Sequence, residues 1–432
     1  LNMENFTSPY MLRREEDAKS AAEKDISARY TDNGGIIWCG TYKRGVSYYA
    51  ENMLRFDLYV HKYADPHSLN YNDVNCFTED RNGNVWIGSN GGGLMYFDRR
   101  ANTFTQMKHD PRNDNSISSD VILSVYVDDD NSLWIGYYFG GLDNYHNGRF
   151  THYRAGDDSN SLSNKSVWKI FKDKQGNFWI GTLGGGLDRL DRSGGYFYHN
   201  NVNIPNSVHS NYITDLAEDR KGNLWIGTAY GIDVLDKAKG VYIHYLRATH
   251  QLSNDNTSSL LCDSRGIMWA GTRDGLNAYD PGKQQFISFR IQDGLPDNNI
   301  ISILEDNDHY LWVSTSNGLS KIAVQQEENG GVGIICHNYD EKDGLQGNAF
   351  NINAALKLRS GELMFGGADG FNIFDPARVK QVRHEPPIVF TSLQLFNRTI
   401  AVNEKHNNHV ILPAAMPETN EIVLRHNEND FS

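Results

Sequence analysis

The chain of 432 residues contains only 11 prolines and 4 cysteines, and no apolar run near the roughly 18 residues of a membrane-spanning helix. Cys39, Cys76, Cys262 and Cys336 lie far apart and form no CxxC pair. That pattern argues against a disulfide framework or a zinc knuckle and reads as four small buried apolar side chains. Basic charge is in deficit: 41 Lys and Arg stand against 54 Asp and Glu, a net charge of -13. A general nucleic-acid or anionic-membrane binder needs a basic face, which this balance disfavours. No GxSxG elbow, HExxH helix or phosphate-binding loop occurs. Helical periodicity is nearly missing; only REEDAKSAAEKD (Arg14 to Asp25) suggests it. The first residues show no basic stretch leading into an apolar one, hence no legible signal peptide. The chain opens on Leu1 and closes on RHNENDFS within a strand-like stretch, so it is expected to be a piece of a longer protein.

What is abundant is glycine, 40 residues, and aromatic residues, 12%. Both fall into a repeat. Trp recurs at Trp38, Trp86, Trp134, Trp179, Trp225, Trp269 and Trp312, with Phe365 in an eighth copy, at intervals of 48, 48, 45, 46, 44, 43 and 53 residues. An Asp precedes each Trp by six residues: Asp32, Asp80, Asp128, Asp173, Asp219, Asp263 and Asp306. A Gly follows two residues after nearly every Trp, and these Gly and Asp residues read as turn formers. Each copy shows four short strands rich in Trp, Ile, Val, Tyr and Phe. The first two are joined by turns such as EDRNGN and EDRKGN, where Gly and Asn accept positive φ. Four strands per unit of about 40–50 residues predict an all-β β-propeller, because small sheets packed face to face in a ring bury surfaces that one sheet leaves open.

Seven blades are favoured over eight. The last copy lacks its fourth strand, and LRFDLYVHKY (Leu54 to Tyr63) can supply it. The ring then spans residues 54–384, and residues 1–53 hold a leftover repeat from a preceding propeller. In the eight-bladed alternative, MENFTSPYM closes the ring. From about Glu385 the repeat stops, and residues 385–432 read as the first strands of an Ig-like sandwich, cut short.

SLSNKSVWKIFKDKQGNFWIGTLGGGLDRLD, DGLPDNNIISILEDNDHYLWVSTSNGLS and DGLQGNAFNINAALKLRSGELMFGGADGFNIFDP resemble the two-component regulator propeller repeat, and the block from Glu385 looks like the start of the Tyr-rich sandwich that follows such propellers. The resemblance implies the periplasmic sensor region of a hybrid two-component system. Such a protein carries two propellers, the sandwich, an inner-membrane helix, and kinase, receiver and DNA-binding modules. It implies recognition of oligosaccharides from polysaccharide breakdown, signalling across the membrane to control transcription, and a homodimer in the complete protein. This chain would contribute the second propeller and the first sandwich strands, and would be no enzyme itself. No ligand residues follow from the resemblance.

The candidate ligand-binding residues come from the loops. In a propeller, the turn between the second and third strands and the approach to the innermost strand gather at one end of the ring. Off-pattern residues there are Tyr137, Tyr138, Lys165, Trp168, Tyr212, Tyr230, Arg273 and Asn299. Aromatic faces suit the C–H faces of sugars, and polar side chains suit their hydroxyls. Trp168 is the one Trp outside the series; it reads either as a stacking platform or as filler between blades. Histidines such as His61, His109, His152, His199 and His244 read as blade-periphery residues. DDDNS (Asp128 to Ser132) lacks the distal Glu of a calcium loop. No metal, no cofactor and no nucleic-acid partner are expected. The rival readings are a glycan-active propeller lyase or hydrolase, and a protein–protein scaffold.

Overall fold

The computed structural model describes residues 26–32, 36–42, 45–49, 56–158, 160–326, 331–379, 390–419 and 421–432. The Arg14–Asp25 stretch, MENFTSPYM and the expected boundary at Glu385 lie outside them. The chain divides into two compact units, Leu1–Lys380 and Gln381–Ser432.

The first unit contains seven four-stranded antiparallel sheets. Six run innermost to outermost in chain order. Blade 1 is built from Val74–Glu79, Val85–Ser89, Leu94–Asp98 and Thr103–Met107, and blade 6 from Ile300–Glu305, Leu311–Thr315, Gly318–Gln326 and Val332–Tyr339. Blade 7 takes three strands from Ala355–Lys357, Leu363–Gly367 and Gly370–Phe374. Its fourth is Asp57–Tyr59, with Tyr59 opposite Phe371 and Asp57 opposite Ile373. Each innermost strand packs on the next, and the seventh returns to the first, closing the ring. The closing strand thus comes from within Leu54–Tyr63, as expected, and the ring has seven blades.

The Asp of blades 3 to 6 does two jobs. One oxygen caps the turn: Asp219 Oδ1 accepts from the backbone N–H of Lys221 and Asn223, both at 2.9 Å. The other takes the indole N–H of the Trp six residues on, at 3.0 Å in Asp173–Trp179, 3.1 Å in Asp219–Trp225, 3.0 Å in Asp263–Trp269 and 2.8 Å in Asp306–Trp312. The Trp rings then pack against the following blade, as Trp225 does on Tyr279 at 5.0 Å. One expectation is corrected. The Gly after each Trp is not a turn residue: Gly88 lies inside the strand Val85–Ser89. A Cβ there would meet Cys76 Sγ and Ile122 Cγ2 at 2.5 Å, so the position is kept bare for the neighbouring blade.

The Trp38 copy forms a separate three-stranded sheet of Ile26–Thr31, Ile37–Thr41 and Val46–Tyr49, which pairs with no blade strand among the described residues. It keeps the Asp32–Trp38 bond at 2.9 Å, and Trp38 stacks on Tyr48 at 5.3 Å while lying partly open. The described part of the second unit has two short hairpins, Gln394–Leu395 with Arg398–Thr399 and Lys405–His406 with His409–Val410, around Leu393, Leu395, Ile400, Ile411 and Leu412. Among the described residues, these hairpins and an antiparallel bridge of Leu395 to Phe431 stand where the strands of a sandwich were expected. The cysteines are unpaired; Cys39 and Cys76 are buried, and burial pushes the Cys76 thiol up to about 12.

Candidate functional site

The end of the ring that carries the candidate residues is knitted from backbone. The turn between the second and third strands of one blade donates to the approach of the next blade. Gly141 N–H bonds Lys165 O at 2.8 Å, Gly184 and Gly186 N–H bond Asn211 O at 2.9 and 3.0 Å, and Gly318 N–H bonds Asn348 O at 2.7 Å. Under this rim sits a second lock. In blades 2, 3, 4, 5 and 7 a carboxylate or amide near the start of the third strand accepts a rim N–H: Asp143 from Ser118 at 2.9 Å, Asp188 from Ser163 at 2.9 Å, Asp233 from His209 at 3.0 Å, Asn277 from Ser253 at 3.0 Å and Asn372 from Gln346 at 2.7 Å. Three of these carboxylates also hold a histidine of the outermost strand through Nδ1: His152 on Asp143 at 2.7 Å, His199 on Asp188 at 2.7 Å and His244 on Asp233 at 2.6 Å. The hydrogen bond to Asp188 raises His199 above its ordinary pKa, against the opposing pull of burial. All three lie at the blade periphery, where their sequence positions placed them, but the buried partner was not legible.

The eight candidates separate. Tyr138, Tyr212 and Tyr230 are exposed at 45%, 49% and 61%, and Phe139 beside them at 65%. Tyr138 meets Phe139 edge-on at 4.3 Å. Lys165 and Arg273 are exposed on the same rim, and Asn299 is half-buried there with its side-chain N–H on Ser316 Oγ at 2.6 Å. Tyr137 is a correction. It is fully buried and packs with Ile122, Leu133 and Ile135, and its hydroxyl donates to Asp143 Oδ2 at 2.7 Å. Burial, with the Asp143 charge behind it, raises its phenol well above the ordinary value. Elsewhere this position is Ser89, Thr182, Thr228, Thr272 or Thr315, whose hydroxyl donates to a rim glycine carbonyl at 2.7–3.0 Å. Tyr reaches past that carbonyl to the carboxylate below, so a ligand does not meet it.

Trp168 sits on the β-bulge that opens the innermost strand of blade 3. Its carbonyl accepts from Asn353 Nδ2 at 3.0 Å, and the same Asn353 offers Oδ1 to Lys169 Nζ at 3.4 Å. Asn353 belongs to blade 7, so these bonds span the middle of the ring. The Trp168 indole N–H is buried without a partner. Lys169 also pairs with buried Asp215 of blade 4 at 2.7 Å, which accepts from Leu260 N of blade 5 at 2.7 Å. Trp168 is half-buried, and its backbone carbonyl takes part in the contacts that cross the middle of the ring. A cleft of about 310 Å³ opens at the opposite end, between blades 1 and 2, lined by Trp86, Tyr96, Tyr145, Asp80 and Asp130; no candidate residue borders it.

A closed ring of seven four-stranded antiparallel blades is a seven-bladed β-propeller. Five stretches, residues 68–91, 161–184, 207–230, 251–274 and 294–317, match the family described as two-component regulator propeller. A stretch of 140 residues is 28% identical to Histidine kinase P4 of Formosa agariphila, covering 32% of this chain and 10% of that protein. The fold is similar to the extracellular domain of a B. thetaiotaomicron protein described as a hybrid two-component system, with a TM-score of 0.75 and 22% identity, over 97% of this chain and 54% of that one. It is also similar to virginiamycin B lyase of Staphylococcus aureus, with a TM-score of 0.52 and 13% identity, over 74% of this chain and 98% of that one. The chain therefore spans about half of the first structure and a tenth of the kinase.

Proposed function

We propose that this chain is a ligand-sensing propeller from the periplasmic part of a hybrid two-component histidine kinase anchored in the inner membrane, with an oligosaccharide as its ligand. The observation that carries the reading is the exposure of Tyr138, Phe139, Tyr212 and Tyr230 on one rim, where other copies of the repeat place small or polar residues such as Asn90 and Ser316. Exposed aromatic rings on a rim that also carries Arg273, Lys165 and Asn299 suit a saccharide, which offers apolar faces and many hydroxyls. The His152–Asp143 and His199–Asp188 pairs lie between third and outermost strands and are tied into the rim locks, which favours binding over catalysis. Binding would bias the arrangement of this propeller against the rest of a dimeric ectodomain, and the kinase would read the bias through differential affinity for two arrangements.

The test is a thermal-shift screen of the chain against neutral and acidic oligosaccharides. A ligand at 100 times its Kd adds about 2.7 kcal/mol to the folded state. The expected result is a hit that Tyr138→Ala and Tyr230→Ala abolish. A hit indifferent to both variants, or conversion of the sugar into product, overturns the reading.

A further inference from the structure

Blade 4 departs from the other rim locks at one position. Where blades 2, 3 and 5 place Ser118, Ser163 and Ser253, blade 4 places His209. Asp233 therefore faces two imidazoles, since Oδ1 meets Nδ1 of both His209 and His244. The three ligating atoms lie within 4.8 Å of one another. From this juxtaposition we infer that His209, Asp233 and His244 form a binding site for a divalent transition-metal ion such as Zn²⁺.

The chemistry of each group fits. Asp233 is fully buried, and its Oδ2 is tied to the His209 backbone N–H at 3.0 Å, so the carboxylate is fixed in place. His209 Nε2 lies 2.5 Å from the Tyr230 carbonyl, which accepts only a hydrogen and so requires the proton on Nε2. With that proton on Nε2, Nδ1 of a neutral His209 ring is free to ligate a cation beside Asp233 Oδ1. A backbone carbonyl on the far nitrogen is the usual outer partner of a metal-bound histidine. Two imidazoles and one carboxylate make a borderline donor set suited to Zn²⁺, Ni²⁺ or Cu²⁺. Both histidine side chains are partly open, at 24% and 39%, so water can complete the shell. The spacing of 209, 233 and 244 along the chain is unlike any metal motif; the fold brings the three together, which is why a metal-free chain was expected.

The experiment is calorimetric titration of Zn²⁺ into the chain after dialysis against a chelator, beside His209→Ser, His244→Gln and His199→Asn. His209→Ser installs the residue that blades 2, 3 and 5 already carry, and circular dichroism checks that each variant is folded. The expected result is one equivalent bound by the parent chain, weakened more than about tenfold in both blade 4 variants and unchanged in His199→Asn. Absence of stoichiometric binding overturns the inference and leaves a proton-bridged histidine pair. Binding that survives His209→Ser and His244→Gln also overturns it, and His409→Ser then tests the pair at Glu428 in the second unit. Should both blade 4 variants fail to fold, the absorption spectrum of Co²⁺ in the parent chain decides, since a nitrogen and oxygen donor shell produces visible bands and free aquo ion does not shift.

Discussion

Trp134 does not bond to Asp128, although the two stand six residues apart like the bonded pairs in blades 3 to 6. Lys172 Nζ reaches Asp128 Oδ1 at 2.7 Å, and Arg192 holds Oδ2. The Trp134 indole N–H is left buried without a partner, and the Arg192 guanidinium lies over its ring at 5.7 Å. One conserved-looking spacing thus supports two different electrostatic arrangements.

Replacing the two tryptophans separates these arrangements. Trp179→Phe loses a hydrogen bond to a buried carboxylate as well as volume, whereas Trp134→Phe loses volume and relieves an unsatisfied donor. Trp179→Phe is expected to be the more destabilising by about 1–3 kcal/mol. Urea unfolding of the two variants measures the difference. Equal midpoints would mean the indole bond contributes nothing.

Lys172 bridges Asp128 of the preceding blade, which is buried, and Asp129, whose side chain is open to water. Lys172→Met strips one of two cations from Asp128 and is expected to cost about 1.5–3 kcal/mol. Asp129→Ala removes only a solvent-exposed partner and should fall within about 0.5 kcal/mol of the parent chain. Thermal unfolding distinguishes the pair.

Much of this was legible in the sequence, and the limits are physical. The Trp period located every blade, and the missing fourth strand of the last copy pointed to the segment that closes the ring. Tyr137 was misread because a Thr-to-Tyr change in a rim turn looks exposed; only the third strand beneath it shows that Asp143 lies within reach. The contact of Asn353 with Trp168 joins residues from opposite blades, and no local pattern records such a pair. His209 carried a readable signal, a His aligned with Ser in three sister copies, but its meaning needed Asp233 and His244 brought beside it.

Tyr137→Phe and Tyr138→Ala are expected to act on different quantities. Tyr137→Phe takes one donor from Asp143, which still accepts from Ser118 and His152. It should lower stability by about 1.5–3 kcal/mol and leave saccharide binding untouched. Tyr138→Ala should leave the unfolding midpoint nearly unchanged and weaken binding. Denaturation and ligand titration on both variants check this; a binding defect in Tyr137→Phe would return that residue to the rim site.

His199 supplies a pH signature. Its pKa is raised in the folded chain by the bond to Asp188, so its contribution is complete below the unfolded value of about 6.5 and is lost as pH rises through the higher folded value. The parent chain should exceed His199→Asn in stability most at acidic pH, and the gap should narrow above neutrality. Urea midpoints of both proteins across that range provide the check. A gap independent of pH would assign the pair to packing alone.

The seam in blade 7 also decides how the ring bears tension. Asp57 pairs with Ile373, so the chain enters the first strand of the ring and leaves its last at the same end of one ladder. Force applied between the flanking segments therefore opens that ladder bond by bond, like a zipper, and does not shear its hydrogen bonds together. Only the three residues of Asp57–Tyr59 hold that ladder. Six blades would stay intact while the seventh parted.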